Sequence, residues 1–480
     1  MGTDNEPDQL NTRRTDGRGP TGVFRGLWLA CVGILLAAGL AACDLALVPP
    51  EELPPTAEAT ATSEVEPTQT PEPGITSLVF WEPFPLDRPQ GLLLGEMMRD
   101  FEAENPDIAV EIVPKSGYVG IHSAMLAALP DGELPDLAVA FPSMIAEYAA
   151  SNAVVPLDSY LIDPELGLTD EDLADLVPGS LEAGRLPDFG WQTLGFPFSE
   201  NVIGMWVNYT LLEQAGWARA PRTWAEFEQA CFDVVATTGV GCYAFVESVS
   251  TFNAWLYSRN GQQLDAAGQR AAFNQTAGVE SLALLRRMID NGLAWRPEQD
   301  YGDYVAFANG EAAFTFSSTG NSQFYLDAYD AALRNGVPAF RWQQTMIPQS
   351  NPDDPATALY GASFFAVRHD PSHEQAAWRL VRWFTEAPQA ARWSADLQSM
   401  PTRISALNWM TETLAAHPFF RVQVEELLPH ARPEPAVALE LEIRDILYTA
   451  ILSVTHAYSD PQSALDAAAR DVDALLSSQP

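Results

Sequence analysis

The chain has 480 residues, 47% of them hydrophobic, and a formal net charge of -38 at pH 7. That length exceeds one small core and calls for two lobes of ordinary domain size. The charge excludes nucleic acid as a partner, because neutralising phosphates needs clustered Lys and Arg, and Lys115 is the single lysine; anionic membranes and anionic ligands are disfavoured on the same ground.

The N-terminus reads as an address. An apolar run over residues 26–42 follows Arg13, Arg14, Arg18 and Arg25 and stops at Cys43, which is the charged, apolar and small-residue order of an export signal. Its end, Leu40-Ala41-Ala42-Cys43, resembles a bacterial lipobox, implying removal of residues 1–42 and lipidation of Cys43. An uncleaved membrane anchor is the alternative, although about 17 residues is the lower limit for spanning a bilayer. Residues 43–74 are Pro, Thr, Glu and Ala with nothing to bury, and residues 44–74 hold seven acids and no base. Such a segment is an extended, disordered tether, reaching roughly 100 Å if polyproline-like.

From Ile75 the pattern changes. Ile75 to Trp81 is a short apolar strand, and Leu94, Met97, Met98 and Phe101 recur at helical spacing. Ile108, Val110 and Ile112 alternate as in a strand, Ile121 to Leu129 is helical, and Leu134 to Phe141 is a continuous apolar run of the kind covered on both faces of a parallel sheet. This βαβαβ order predicts an α/β fold with a doubly wound, mostly parallel sheet. Thr223-Trp-Ala-Glu226 has the capping-box form and opens a helix through Phe227 and Ala230. Cys231 and Cys242, the two cysteines of the body, suggest a disulfide in an exported chain, closed by a turn through Gly239 and Gly241; two separate buried thiols are the other reading. Leu282, Leu285, Met288 and Ile289 make a further helix face ended by Gly292. Ser372-His-Glu-Gln375 reads as the cap of a helix burying Ala376, Ala377, Leu380, Val381 and Phe384.

Several ordered stretches then resemble one family. They are Phe101-Glu-Ala-Glu-Asn-Pro106, Leu134-Pro-Asp136, Asn152-Ala-Val-Val-Pro-Leu-Asp158, Trp206 to Gly216, Pro221 to Phe227, Phe307-Ala-Asn-Gly-Glu-Ala-Ala-Phe314, Tyr360-Gly-Ala-Ser363 and Met400-Pro-Thr-Arg403. In order and spacing the chain is similar to the family 1 extracellular solute-binding proteins, the maltose-binding-protein-like receptors, over 75–480. It departs at Trp206-Val-Asn208, where the family usually has a Tyr-Asn pair, and in its lack of lysines. The resemblance implies a two-lobed periplasmic-binding-protein-like fold of type II, with lobe 1 from 75–192 and 360–408 and lobe 2 from 193–359 and 409–480. Crossings are expected near Gly190 to Pro197, Tyr360 and Met400 to Leu414. It also implies a monomeric, extracytoplasmic receptor that closes on a sugar or polyol and docks on the permease subunits of an ABC importer.

Sugars offer apolar faces and a rim of hydroxyls, so their sites pair flat rings with carboxylates, amides and hydroxyls, and open α/β sheets place ligands at strand C-terminal ends. The candidates there are Trp81, Glu82, Phe84, Phe141, Ser143, Glu200, Asn201, Trp255, Ser317, Ser318, Tyr360, Gly361 and Ser363. Trp81 and Trp255 are the expected stacking platforms and Glu82 a hydroxyl acceptor. No cofactor or metal is expected: phosphate loops, nucleophile elbows and zinc spacings are absent, and Asp370-Pro371 separates His369 from His373. The rivals are a secreted glycoside hydrolase using Glu82 and Glu200, which would need the two carboxyls about 5 to 10 Å apart, and a sensory or adhesive sugar-binding lipoprotein. A well-placed Arg in the cleft, such as Arg403, would admit an anionic ligand.

Overall fold

The computed structural model describes residues 74–299, 302–397 and 399–478; the signal segment, Cys43 and nearly all of the tether lie outside them. The first apolar run forms β1 (Thr76–Glu82), followed by β2 (Ile108–Pro114) and β3 (Leu137–Ala140). A small hairpin, β4 (Arg185–Leu186) and β5 (Gln192–Thr193), precedes the long β6 (Phe196–Asn208). Then come β7 (Gly241–Ala244), β8 (Ala294–Trp295), β9 (Ala312–Ser318), β10 (Trp342–Thr345), β11 (Thr357–Ala366) and β12 (Ala431–Pro433). Apart from the hairpin, they form one ten-stranded sheet in the order β2-β1-β3-β11-β6-β9-β7-β8, with β10 on β6 and β12 on β11.

The parallel sets β2-β1-β3 and β9-β7-β8 are what continuous apolar runs joined by helices dictate. Between them lie β11 and β6, antiparallel to each other and to the flanking β3 and β9. These two strands carry the chain from one core to the other. The front of β6, Phe196 and Phe198, packs with Leu78, Phe80 and Phe364, whereas Ile203, Met205 and Val207 pack with Phe227, Trp255 and Phe314. The first passage therefore lies within β6, between Phe198 and Ile203, several residues beyond Gly190 to Pro197.

The third passage also lies later than Met400 to Leu414. Met400, Ala406, Met410, Leu414 and Phe420 instead build a separate cluster with Val202 and Leu359. The physical reason is that the crossing strands expose an apolar patch which these short helical turns cover. The chain enters the second core only at Val437, directly after Ala436 has packed into the first.

Local signals act as their chemistry predicts, with two adjustments. Thr223 Oγ1 accepts from Glu226 N at 3.2 Å, but the Glu226 carboxylate turns to Arg219 and to Arg222 N, so only half of the capping box forms. The helix Pro371–Phe384 is capped two residues earlier than Ser372, by Asp370, whose carboxylate accepts from Ser372 N and His373 N, with Pro371 in the first turn. Cys231 and Cys242 are bonded, with Cα atoms 5.1 Å apart, and Gly239 supplies the left-handed turn at φ 70° between them.

Candidate functional site

Two cavities meet where the lobes join. The larger, about 730 Å³, lies at the C-terminal ends of β7 and β9 in lobe 2, and the smaller, about 240 Å³, lies between the lobes. Both are lined by Tyr360 of β11 and by Arg444 of the helix Glu440–Thr455. Ser317, Ser318 and Tyr360 line the larger cavity, and Phe141, Ser143, Tyr360 and Gly361 the smaller. Burial pushes the Tyr360 hydroxyl up to about 12, with a bond to Ser318 opposing.

The larger cavity is rich in rings. Phe324 is 55% and Tyr448 40% exposed, and Tyr304 stacks on Phe324 at 6.0 Å and 25°. Rings left open to water around a concave wall are what a sugar face requires. Polar groups accompany them. Asn321 Nδ2 donates to Ser317 Oγ at 2.9 Å, and Arg444 donates to Glu434 Oε2 at 2.7 Å and Ser250 Oγ at 3.0 Å. Beneath the smaller cavity Gln263 Nε2 donates to both oxygens of Glu440, whose carboxyl is pushed up to about 8 by burial and by the charge of Glu434.

Other expected residues lie elsewhere. Trp255 is 4% exposed and packs in the lobe 2 core against Trp224 and Phe316, at 4.4 and 5.1 Å. It is no platform, because the helix Val249–Tyr257 is enclosed on nearly every side, with Phe252, Trp255 and Leu256 all buried. Trp81 is a lobe 1 core residue on the central strand of its parallel set, and its ring is covered by Lys115 Nζ at 3.8 Å. Phe84 packs on Phe198 and Trp393, and Ser363 is fully enclosed beside Gly195. Asn201 Oδ1 accepts from Thr319 Oγ1 at 3.4 Å, tying β6 to the turn after β9. Arg403 is buried and clamped, donating to the carbonyls of Thr385 and Asp172 and pairing with Asp172 and Asp175, so it does not face the cleft.

Glu82 and Glu200 are both buried, and each has a buried carboxyl oxygen without a hydrogen-bond partner among the described residues. Burial pushes Glu82 up to about 7, partly opposed by Phe84 N, which donates to its Oε2 at 2.6 Å; burial alone pushes Glu200 up to about 8. Tyr118 is close enough to feel both charges, which, after burial, raise its hydroxyl further. Glu200 lies across the strand pair from Gly361, where an added Cβ would sit 2.1 Å from Ser199 O and 2.7 Å from Glu200 Oε2. Only glycine lets the two crossing strands approach so closely.

Tyr118, Tyr304, Phe324, Arg444, Asp445 and Tyr448 were not singled out in the sequence. Helical spacing separates Arg444 and Tyr448 from the buried Ile443, Leu447 and Ile451, yet nothing local says that this outer face returns to the cleft.

A family model described as bacterial extracellular solute-binding protein matches residues 96–421. The chain belongs to that family. This solute-binding protein is 22% identical over 423 residues to the sn-glycerol-3-phosphate-binding periplasmic protein UgpB of Escherichia coli, a match covering 84% of this chain and 93% of the relative. In structure it is similar to the cyclic alpha-maltosyl-1,6-maltose binding protein of Arthrobacter globiformis, with a TM-score of 0.71, 22% identity, and 84% of this chain and 99% of the other covered. UgpB of Mycobacterium tuberculosis, solved with glycerophosphocholine, gives a TM-score of 0.66 at 20% identity over 84% and 99% of the two chains. Members of the family are binding proteins. Among the described residues of this solute-binding protein, no helix is long and apolar enough to cross a membrane, and no group of three or more His, Cys, Asp and Glu is placed to hold a metal ion.

Proposed function

We propose that the protein is the solute-capturing receptor of an ABC importer, taking a sugar or polyol into the cleft between its lobes by hinge closure. The observation that carries this is the meeting of the two cavities at Tyr360, on a strand that passes from one lobe to the other. A solute touching both walls stabilises the closed arrangement, and the permease reads closure. Tyr360, Gly361, Phe141, Ser143, Ser317 and Ser318 are the contacts from the sequence reading that this proposal keeps, joined by Tyr304, Phe324 and Tyr448. Cys43 is the proposed lipid anchor and residues 43–74 the tether, holding the receptor outside the cell membrane within reach of its permease.

The receptor reading is favoured over the hydrolase. A glycosidase needs an ionised carboxylate as base or nucleophile beside a neutral acid, whereas Glu82 and Glu200 are both pushed toward the neutral form and neither lines either of these two cavities. Thermal unfolding of the purified protein against sugars, polyols and sugar phosphates tests the proposal. A ligand at about 100 times its Kd adds roughly 2.7 kcal/mol. A saccharide that raises the midpoint and is recovered unchanged supports the receptor; one that is consumed replaces it with an enzyme.

A further inference from the structure

The charges facing the larger cavity narrow the solute class. Four charged side chains line it: Glu247, Asp303, Asp445 and Arg444. Arg444 is committed to Glu434, at 2.7 Å, and Glu247 is paired with Arg296 and His456, at 3.0 and 2.8 Å. Asp303 is buried and accepts from Tyr325 OH at 3.1 Å. The Asp445 carboxylate is exposed and has no hydrogen-bond or ion-pair partner among the described residues. Thus the one guanidinium lining this wall is already paired, burial pushes the Asp303 carboxyl toward its neutral form, and the Asp445 carboxylate is left facing the cavity without a cation paired to it.

The rings supply a second, independent argument. Tyr448 lies on the same helix face as Asp445 and Arg444, and it opens on the cavity together with the Tyr304 and Phe324 pair. Neutral sugars stack on such faces, but the negative face of a ring beside an unpaired carboxylate is also the arrangement that attracts a cation, above all a substituted ammonium. An anion would meet the Asp445 carboxylate with no free guanidinium to compensate, within a chain of net charge -38.

We infer that the solute is a hydroxylated molecule carrying a positively charged nitrogen, an amino sugar or a polyol amine, with that nitrogen held between Asp445 and the ring of Tyr448. The inference rests on the reading of this cleft as the solute site. It deepens that reading by assigning the charge of the ligand, which distinguishes this protein from a phosphate-ester receptor.

The test uses the full protein in calorimetric titrations with D-glucosamine and its β-1,4 dimer, their N-acetylated counterparts, and glucose 6-phosphate, at a pH where the amines are protonated. The expected result is roughly tenfold tighter binding of the ammonium form than of its N-acetyl counterpart, a preference that shrinks as salt is added. Asp445→Asn and Tyr448→Leu, both at exposed positions whose unliganded melting temperature serves as the folding control, should each reduce that preference several-fold. Equal or tighter binding of the N-acetyl sugars or of glucose 6-phosphate overturns the assigned charge while leaving the receptor standing. A preference untouched by both substitutions overturns the assigned place. Failure of every probe to bind overturns both the charge assignment and the carbohydrate reading beneath it.

Discussion

The two walls of the cleft are built on different plans. Lobe 1 presents Phe141 and Ser143 over a dense aromatic core and keeps Glu82 sealed beneath the surface, as Glu200 is sealed in the crossing strand. Lobe 2 presents the larger hollow, with open rings and an unpaired carboxylate. On the proposed reading a solute finds most of its contacts on lobe 2, and lobe 1 acts as the cover. The seam between them, where Glu200 lies against Gly361, is the tightest approach of the two crossing strands.

Breaking the seam should have the largest effect. Gly361→Val would drive a side chain into Ser199 O and the Glu200 carboxyl, and we expect a loss of about 4 kcal/mol, read from chemical denaturation. An undisturbed midpoint would mean that the crossing strands separate freely. Next comes the Cys231–Cys242 pair, which belongs to lobe 2 alone. Replacing both by Ala should cost about 3 kcal/mol by the loop-entropy account and leave the ligand preference order unchanged; a changed order would show that lobe 2 packing sets specificity.

The sealed acids give a pH signature. Because burial raises the folded pKa of Glu82 and Glu200 above the ordinary carboxyl value, the unfolded chain releases those protons first, and stability falls as pH rises from the ordinary carboxyl range through about 7 to 8. Glu200→Gln should flatten that slope and add roughly 2 kcal/mol above pH 8; urea titrations of both proteins across this range would check it, and an unchanged slope would mean that water reaches the carboxyl. The smallest effect is expected at the open rings of lobe 2. Phe324→Ala should weaken solute binding by about 1 kcal/mol with no change in unliganded stability, since the ring is already 55% exposed.

Much of the scaffold was legible. The alternation in β2, the continuous run at β3 and the helical stripe through Leu282, Leu285 and Met288 each depend on neighbours within a few residues, and each took the expected form. The cysteine pairing also followed from a short loop with a glycine turn. The cap at Asp370 was misplaced by reading Ser372 first, although Asp370-Pro371 carried the stronger signal. The site was less legible. Trp255 and Tyr448 are both large rings on helices, and periodicity tells only which one faces its own lobe's core. That rule exposes Tyr448, but it does not show that the helix Val249–Tyr257 is enclosed on nearly every side, Trp255 included, nor tell an ordinary exposed face from one that fronts a second lobe.

By itself the sequence determined the alternation of strands and helices, the acidic character, the family and the glycine at position 361, because these are set by local spacing, composition and order. The tertiary structure decided which rings remain open, that Arg403 is a clamp and Arg444 a cleft residue, and that Glu82 and Glu200 are sealed. Those outcomes depend on segments hundreds of residues apart, Phe141, Tyr360 and Arg444 among them, being brought to one wall by two strands that pass between the lobes.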